Sequence, residues 1–172
     1  WRCMLSPLMQ GEADSLCGIY SILNAYKTVY KTTDDENQNL FEEMIEFLHK
    51  KRLLKNVIIN GMLFKHLNFV MDNIGKKYIP NTSLYWRSYP NPNTRDFWKS
   101  VKNHLSKENS CVILSMTGRQ DHYTVGTFAT DKSIRLFDSG GMKILRYIDC
   151  TTTVLDDSKY ILYPAQTYFI SS

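Results

Sequence analysis

Hydrophobic residues in the first two thirds of the chain recur with the 3.6-residue period of an α-helix. The pattern predicts a first helix over Asp14–Val29, with Asp14 or Ser15 as its N-cap, and a second over Thr32–Arg52 that has acidic residues first and basic residues last. A third helix is predicted over Met62–Ile74, closed by Gly75, and a fourth over Thr94–Leu105. Between them, Tyr78–Pro92 is rich in Pro, Asn and Tyr, which indicates an extended or loop segment.

The last third has a different pattern, with short β-branched and aromatic runs separated by turn residues. The runs "CVILSMT", "HYTVGTFAT", "SIRLFDS", "KILRYI" and "YILYP…TYFI" predict strands, and "ATDKSI" and "DSGGMK" predict hairpin turns. Helices followed by strands predict an α+β fold with an antiparallel sheet. We expect one domain over 1–172, with a helical part over about 1–108 and a sheet part over about 109–172.

Composition narrows the function classes. With 43% hydrophobic and 22% charged residues among 172, the chain has a globular rather than a disordered composition. The net charge of +4 is slight and no nucleic-acid motif is present, so we expect no nucleic-acid partner. No apolar run approaches the ~20 residues that span a bilayer, so no membrane insertion is expected. Because the sequence begins at Trp1 without an initiator Met, we expect it to be a piece of a longer polypeptide.

The cysteines do not indicate a metal site. Cys3, Cys17, Cys111 and Cys150 are widely scattered, with no CxxC and no Cys/His spacing of the zinc type. We therefore expect no metal and no other cofactor. A disulfide scaffold is also not indicated, because the chain is long and poor in cysteine.

Cys17 is the first candidate for chemistry. It lies at the start of the first predicted helix, where unpaired amide groups and the helix dipole favour a thiolate. Gly18 follows it and leaves room for a substrate to approach. The alternative is a small buried hydrophobic residue without reactivity, which is common for a single cysteine.

His122 and Asp138 are the second and third candidates. His122 opens the strand-like run "HYTVGTF", and Asp138 ends the next run, so a hairpin between the two would bring them to the same level. A carboxylate there would orient the imidazole and support its protonated form. The alternatives are a surface or capping histidine and an ordinary turn-forming aspartate.

Gln10 is the fourth candidate. Its side-chain amide, seven positions before Cys17, could stabilise a developing oxyanion together with the backbone N–H of Cys17. The alternative is a solvated loop glutamine. Met62, Trp86 and the Tyr78–Pro92 segment could line a substrate groove, although aromatic residues are more often part of the core.

The order of these residues resembles that of papain-like cysteine peptidases. The matching stretches are Gln10-Gly11, Leu16-Cys17-Gly18 followed by "LNA", Asp121-His122-Tyr123-Thr124-Val125 and Leu136-Phe137-Asp138-Ser139. The resemblance covers nearly the whole chain and is strongest to compact bacterial members: staphopain-like peptidases, bacteriocin-leader peptidases and papain-fold toxin or effector domains. In that family the glutamine usually lies six, not seven, positions before the cysteine.

The resemblance implies a papain-like fold and a cysteine protease with a Cys17-His122-Asp138 triad. It also implies an oxyanion site at Gln10 and the Cys17 amide, with substrate contacts from Gly18, Asp121 and Tyr123. A protein or peptide substrate is expected, and for a secreted or delivered toxin or effector also a cognate immunity or inhibitor protein. Two alternatives stay open: a deamidase or transglutaminase-type acyl transferase with the same triad, and a non-catalytic protein-interaction domain.

Overall fold

The computed structural model of the protein describes residues 5–11, 14–85, 92–153 and 158–172. In these ranges the helices are α1 (Cys17–Tyr30), α2 (Asp34–Lys50), α3 (Leu54–Asn60), α4 (Phe64–Val70), α5 (Lys76–Tyr78) and α6 (Thr94–Leu105). The strands are β1 (Thr82–Leu84), β2 (Ser110–Gly118), β3 (His122–Ala129), β4 (Ser133–Leu136), β5 (Ile144–Arg146), β6 (Cys150–Thr151), β7 (Tyr160–Leu162) and β8 (Tyr168–Ser171). The α+β prediction is confirmed.

The second and fourth predicted helices form almost as the sequence indicates. A capping box starts α2: the Glu36 N–H donates to the Thr33 hydroxyl, and the Glu36 carboxylate accepts from the Thr33 N–H at 2.7 Å. Its apolar face is fully buried through Leu40, Met44 and Leu48. Helix α6 has exactly the predicted bounds and is capped by the Asn93 side chain, which accepts from the Asp96 N–H.

The region of the third predicted helix differs from the prediction. A separate helix, α3, precedes the predicted one. The helical conformation does not end at Gly75 but continues from α4 through a π-helical turn (Met71–Gly75) into α5. Gly75 has a helical φ of −53°, so it is not a left-handed C-cap. A Cβ at this position would lie 2.6 Å from the Met71 sulfur and 3.7 Å from Ile22 of α1, so Gly75 is closely packed where the helix continues.

One sheet joins the strands in the order β1-β8-β2-β3-β4-β5, with β7 pairing with both β2 and β6. All pairs are antiparallel except β6 with β7. The short strand β1 lies within the segment predicted as extended or loop, and it extends the sheet by pairing with β8. Residues 86–91 of that segment lie outside the described residues.

The sheet carries a core on each face. Along β2, Cys111 and Ile113 join the core formed with α1, α2 and α4, whereas Val112, Leu114 and Met116 join the core formed with α6. Helix α6 therefore covers the face of the sheet opposite α1. Because α1 packs across β2 and β3, its N-terminus lies close to the start of β3.

Candidate active site

Cys17 is the first residue of α1, and the helix starts without a side-chain cap. Asp14 and Ser15 do not act as N-caps. The Asp14 carboxylate instead accepts the N–H groups of Leu16 (3.0 Å) and Gly11 (2.9 Å), which fixes the turn before the helix. The first backbone N–H groups of the helix thus have no capping side chain, so they can face an anionic group at the sulfur.

His122 is the first residue of β3 and is 5% exposed. Its register is fixed by pairing with Met116 of β2. The Nε2 atom lies 2.6 Å from Oδ1 of Asp138, and the Cys17 side chain is the other group whose interaction with the ring raises its pKa. Since Nε2 bonds to Asp138, the other ring nitrogen, Nδ1, is the one left to face the sulfur.

Asp138 follows β4 and is 1% exposed. The β3–β4 hairpin returns it to the level of His122, because the Phe137 N–H donates to the Val125 carbonyl at 2.8 Å. Its second oxygen, Oδ2, accepts the backbone N–H groups of Gly140 (2.9 Å) and Met142 (3.0 Å). The carboxylate is therefore held by the turn on one side and by the imidazole on the other.

His122 and Asp138 each shift the pKa of the other toward its charged form. Burial by itself would lower the pKa of His122, but the hydrogen bonds and charges of Asp138 and Cys17 outweigh it and raise the pKa to about 9. Burial would raise the pKa of Asp138, but the His122 hydrogen bond and charge, with the Met142 N–H, lower it. The protonated imidazole and the ionised carboxylate therefore stabilise each other at neutral pH.

Gln10 is held beside this group by a residue that the sequence did not single out. The Gln10 N–H donates to the Ser139 carbonyl, and the Ser139 hydroxyl donates to Oε1 of Gln10, both at 3.2 Å. Because Oε1 is occupied, the Nε2 amide is the free end of the side chain. Ser139 follows Asp138 directly in the chain, and this adjacency is the sequence signal that could have identified it.

An open cavity of about 580 Å³ lies over Cys17 and His122. One wall is the segment 60–64, and the other is formed by β2 and the residues after β7. Polar cavity residues hydrogen-bond to each other: Ser115 donates to Gln166 at 2.9 Å, and the hydroxyls of Thr117 and Tyr163 are 2.9 Å apart. Cys17 is thus reached from solvent through an opening in which polar and apolar surface are about equal.

The predicted substrate contacts have different positions. Asp121 is exposed and lines the cavity, and Tyr123 lines it with an 8% exposed side chain, in a residue that pairs with Ser115 of β2 in the sheet. Gly18 is buried and is not among the lining residues. A Cβ there would lie 2.7 Å from the Met62 sulfur, so this glycine permits close packing against Met62, not substrate approach.

Of the residues predicted to line a groove, Met62 does line the cavity, together with Leu63 and Phe64. Trp86 lies outside the described residues. Tyr78 is half-buried and its hydroxyl donates to Glu43 at 2.7 Å, so it belongs to the contact between α5 and α2.

The other described thiols are buried. Cys111 is fully buried, and burial raises its pKa above the ordinary range; burial also raises the pKa of Cys150, to about 12. Cys3 lies outside the described residues. Cys17 is therefore the most accessible of the three thiols that the structure describes.

In comparisons with protein-family models, curated proteins and solved structures, no match to the chain was found. Within the described ranges, no three His, Cys, Asp or Glu side chains are grouped as a metal site would require. None of the helices in the described part of the chain combines the length and the hydropathy needed to cross a bilayer.

Proposed function

We propose that this protein is a cysteine peptidase, in which Cys17 attacks a peptide bond of a protein substrate and forms an acyl-enzyme. The observation that carries the proposal is the position of the His122 ring, which bonds to the Asp138 carboxylate at 2.6 Å and lines the same open cavity as Cys17, whose side chain helps to raise the pKa of the ring. This arrangement is the nucleophile, base and orienting group of a catalytic triad. An inert packing cysteine would not require it.

The first chemical step uses the proton shared by Cys17 and His122. The imidazolium beside the sulfur stabilises a thiolate, which attacks the carbonyl carbon of the substrate. The negative charge that forms on the carbonyl oxygen is stabilised by the Cys17 N–H and by Nε2 of Gln10. The imidazolium then gives its proton to the leaving nitrogen, the C–N bond breaks, and a thioester remains.

The second step regenerates the protein. His122, now neutral, removes a proton from water, and the resulting hydroxide attacks the thioester carbonyl. The C–S bond breaks, the acid is released, and thiolate and imidazolium are restored. Asp138 stays ionised throughout and keeps the ring oriented.

Support for a peptide as the substrate comes from the resemblance to papain-like peptidases. The half-buried, cavity-facing sulfur speaks against a purely non-catalytic interaction domain, for which Cys17 would be enclosed. The triad serves a deamidase equally well, because the acyl-enzyme is the same. The products must therefore be part of the test.

The test compares wild type, Cys17→Ala and His122→Ala, all carrying Cys3→Ser so that labelling can be assigned. Each is treated with a thiol-directed electrophile and incubated with a denatured protein mixture. We expect labelling of Cys17 and cleavage of the protein mixture only with the protein that retains both Cys17 and His122. Cys150→Ser is the matched control and should behave as wild type, because that thiol is buried.

The products separate the outcomes. New peptide termini in mass spectra indicate a peptidase, whereas intact chains with glutamine converted to glutamate indicate a deamidase. The proposal is refuted if Cys17 is not labelled in the folded protein and all variants give the same products.

A further inference from the structure

Apart from His122, the charged groups that line the cavity over Cys17 are acidic. Besides His122, the only charged side chains among the lining residues are Asp14 and Asp121. No Lys or Arg of the described residues is among them, although the whole chain has a net charge of +4. The acidic cavity is thus not a reflection of overall composition.

The proton between Cys17 and His122 does not change this balance. A neutral thiol with a neutral imidazole has the same total charge as a thiolate with an imidazolium. In both states the charge of the buried Asp138 carboxylate is left over; a neutral thiol with an imidazolium would balance it, but the charges of Asp14 and Asp121 remain in every case. The cavity is therefore negative whichever atom holds the proton, and a cleft lined by one sign of charge concentrates ligands of the other sign.

Arg119, the basic residue nearest to Asp121 in the chain, is engaged elsewhere. Arg119 is two positions before Asp121, but its guanidinium contacts the Asp149 carboxylate at 3.7 Å and donates to the Ser158 carbonyl. It also lies over the Tyr160 ring, 5.5 Å from the centroid. The Asp121 side chain has no described ion pair, so its charge stays available to a ligand.

The two carboxylates also differ in freedom. Asp14 is half-buried and fixed by two backbone N–H groups, so it presents a charge at a defined place before the Cys17 helix. Asp121 is exposed and precedes His122 directly. A bound chain that passes over the sulfur would have a fixed carboxylate on the cysteine side and a mobile one on the histidine side.

We infer that the substrate of this site is cationic: a peptide with lysine or arginine side chains next to the bond that Cys17 attacks, recognised by Asp14 and Asp121. This inference rests on the proposed function, because it names the substrate class of the same site. Leu63, which is 60% exposed, and Phe64 provide apolar surface for the alkyl part of such side chains.

The experiment measures the charge preference of Cys17 directly. In the Cys3→Ser background, its rate of modification is measured with a cationic, (2-aminoethyl), and an anionic, (2-sulfonatoethyl), methanethiosulfonate, with the neutral methyl reagent as reference. We expect the cationic reagent to react on the order of 10-fold faster than the anionic one at low salt, and the ratio to shrink in about 1 M salt, where screening acts over roughly 3 Å.

Variants of Asp14 and Asp121 test whether these carboxylates cause the preference of Cys17 for the cationic reagent. Asp121→Asn should lower the cation-to-anion ratio by about 2–5-fold, as for an exposed charge, and adding Asp14→Asn should lower it further. Asp131→Asn, in the β3–β4 turn and outside the cavity lining, is the matched control and should leave the ratio unchanged. The same proteins are then compared on peptides that differ only in lysine, norleucine or glutamate.

The outcomes separate the two proposals. If Cys17 reacts with all three reagents without a charge preference, or if the Asp14→Asn/Asp121→Asn ratio equals that of wild type, the cationic substrate is refuted and the nucleophile stands. If none of the reagents modifies Cys17, the proposed function itself fails.

Discussion

Asp138→Asn removes one charge and almost no volume, and the structure determines which way the new amide must face. Oδ2 of Asp138 accepts two backbone N–H groups, whereas Oδ1 bonds to Nε2 of His122. The asparagine oxygen will therefore take the place of Oδ2, because an NH₂ group there would face two donors. Its NH₂ group then points at Nε2 of His122.

That orientation puts the proton of the imidazole on the wrong nitrogen. Nε2 must accept from the amide, so the single ring proton sits on Nδ1, facing Cys17, and the ring cannot take the thiol proton. In wild type the Asp138 hydrogen bond contributes most to raising the pKa of His122 to about 9. The substitution removes this contribution, whereas the burial that lowers the pKa of His122 remains. A histidine held in the wrong tautomer costs on the order of 10⁴ in rate in a comparable triad.

The assay is the alkylation rate of Cys17 by iodoacetamide from about pH 5 to about pH 10, together with an NMR titration of the His122 ring. We expect the Asp138→Asn rate near neutral pH to fall by about 10–30-fold, because an ordinary thiol with a pKa of about 8.5 is only about 3% thiolate at pH 7, and the His122 midpoint to drop below its ordinary value of about 6.5. Asp131→Asn is the control, because it removes an exposed aspartate at the far end of the same hairpin. If Asp138→Asn retains the wild-type profile with a midpoint near 9, the assigned orientation is wrong.

Two further predictions follow from the same contacts. Gln10→Ala should lower kcat/KM for amide hydrolysis by on the order of 10²–10³, and Ser139→Ala should lower it by less, since it only frees the Gln10 side chain. The alkylation rate of Cys17 should fall far less in Gln10→Ala, because alkylation forms no oxyanion. An equal fall in both assays would contradict the oxyanion role of Gln10. Because the folded-state pKa of His122 is raised to about 9, its stabilisation is fully present below about pH 6.5 and is lost as the pH rises through 9. Between these pH values the free energy of unfolding measured with denaturant should fall by up to about 3 kcal/mol. Most of this fall should be absent in Asp138→Asn. The same fall in both proteins would count against the His122–Asp138 pairing.

The sequence predicted the elements whose signals are local. Helix α6 has the predicted bounds, and α2 lies within its predicted range, because apolar period, cap residues and charge order agree along one short segment. The prediction failed where tertiary packing overrode a local signal. Gly75 was predicted as a helix stop, yet it is buried with a helical φ of −53° where a Cβ would lie 3.7 Å from Ile22 of α1, and the helix continues past it.

The candidate site shows the same division. The residue types and their order indicated a nucleophile, a base and an orienting acid, because each is visible at a helix start or a strand end. Ser139 was missed, and Gly18 was assigned to substrate binding although it packs under Met62. No local sequence pattern indicates the Ser139–Gln10 hydrogen bond or the packing of Gly18 against Met62. Both depend on which distant segment of the chain lies next to these residues.

The sequence by itself therefore determined the kinds of elements and the chemistry that their ends could supply. Only the tertiary structure decided that Cys17, His122 and Asp138 meet, since this depends on the packing of α1 across β2 and β3 and on the register of the β3–β4 hairpin. The physical reason is range: periodicity, caps and turns act over a few residues, whereas hydrogen bonds and charges act through space between segments that are far apart in the chain.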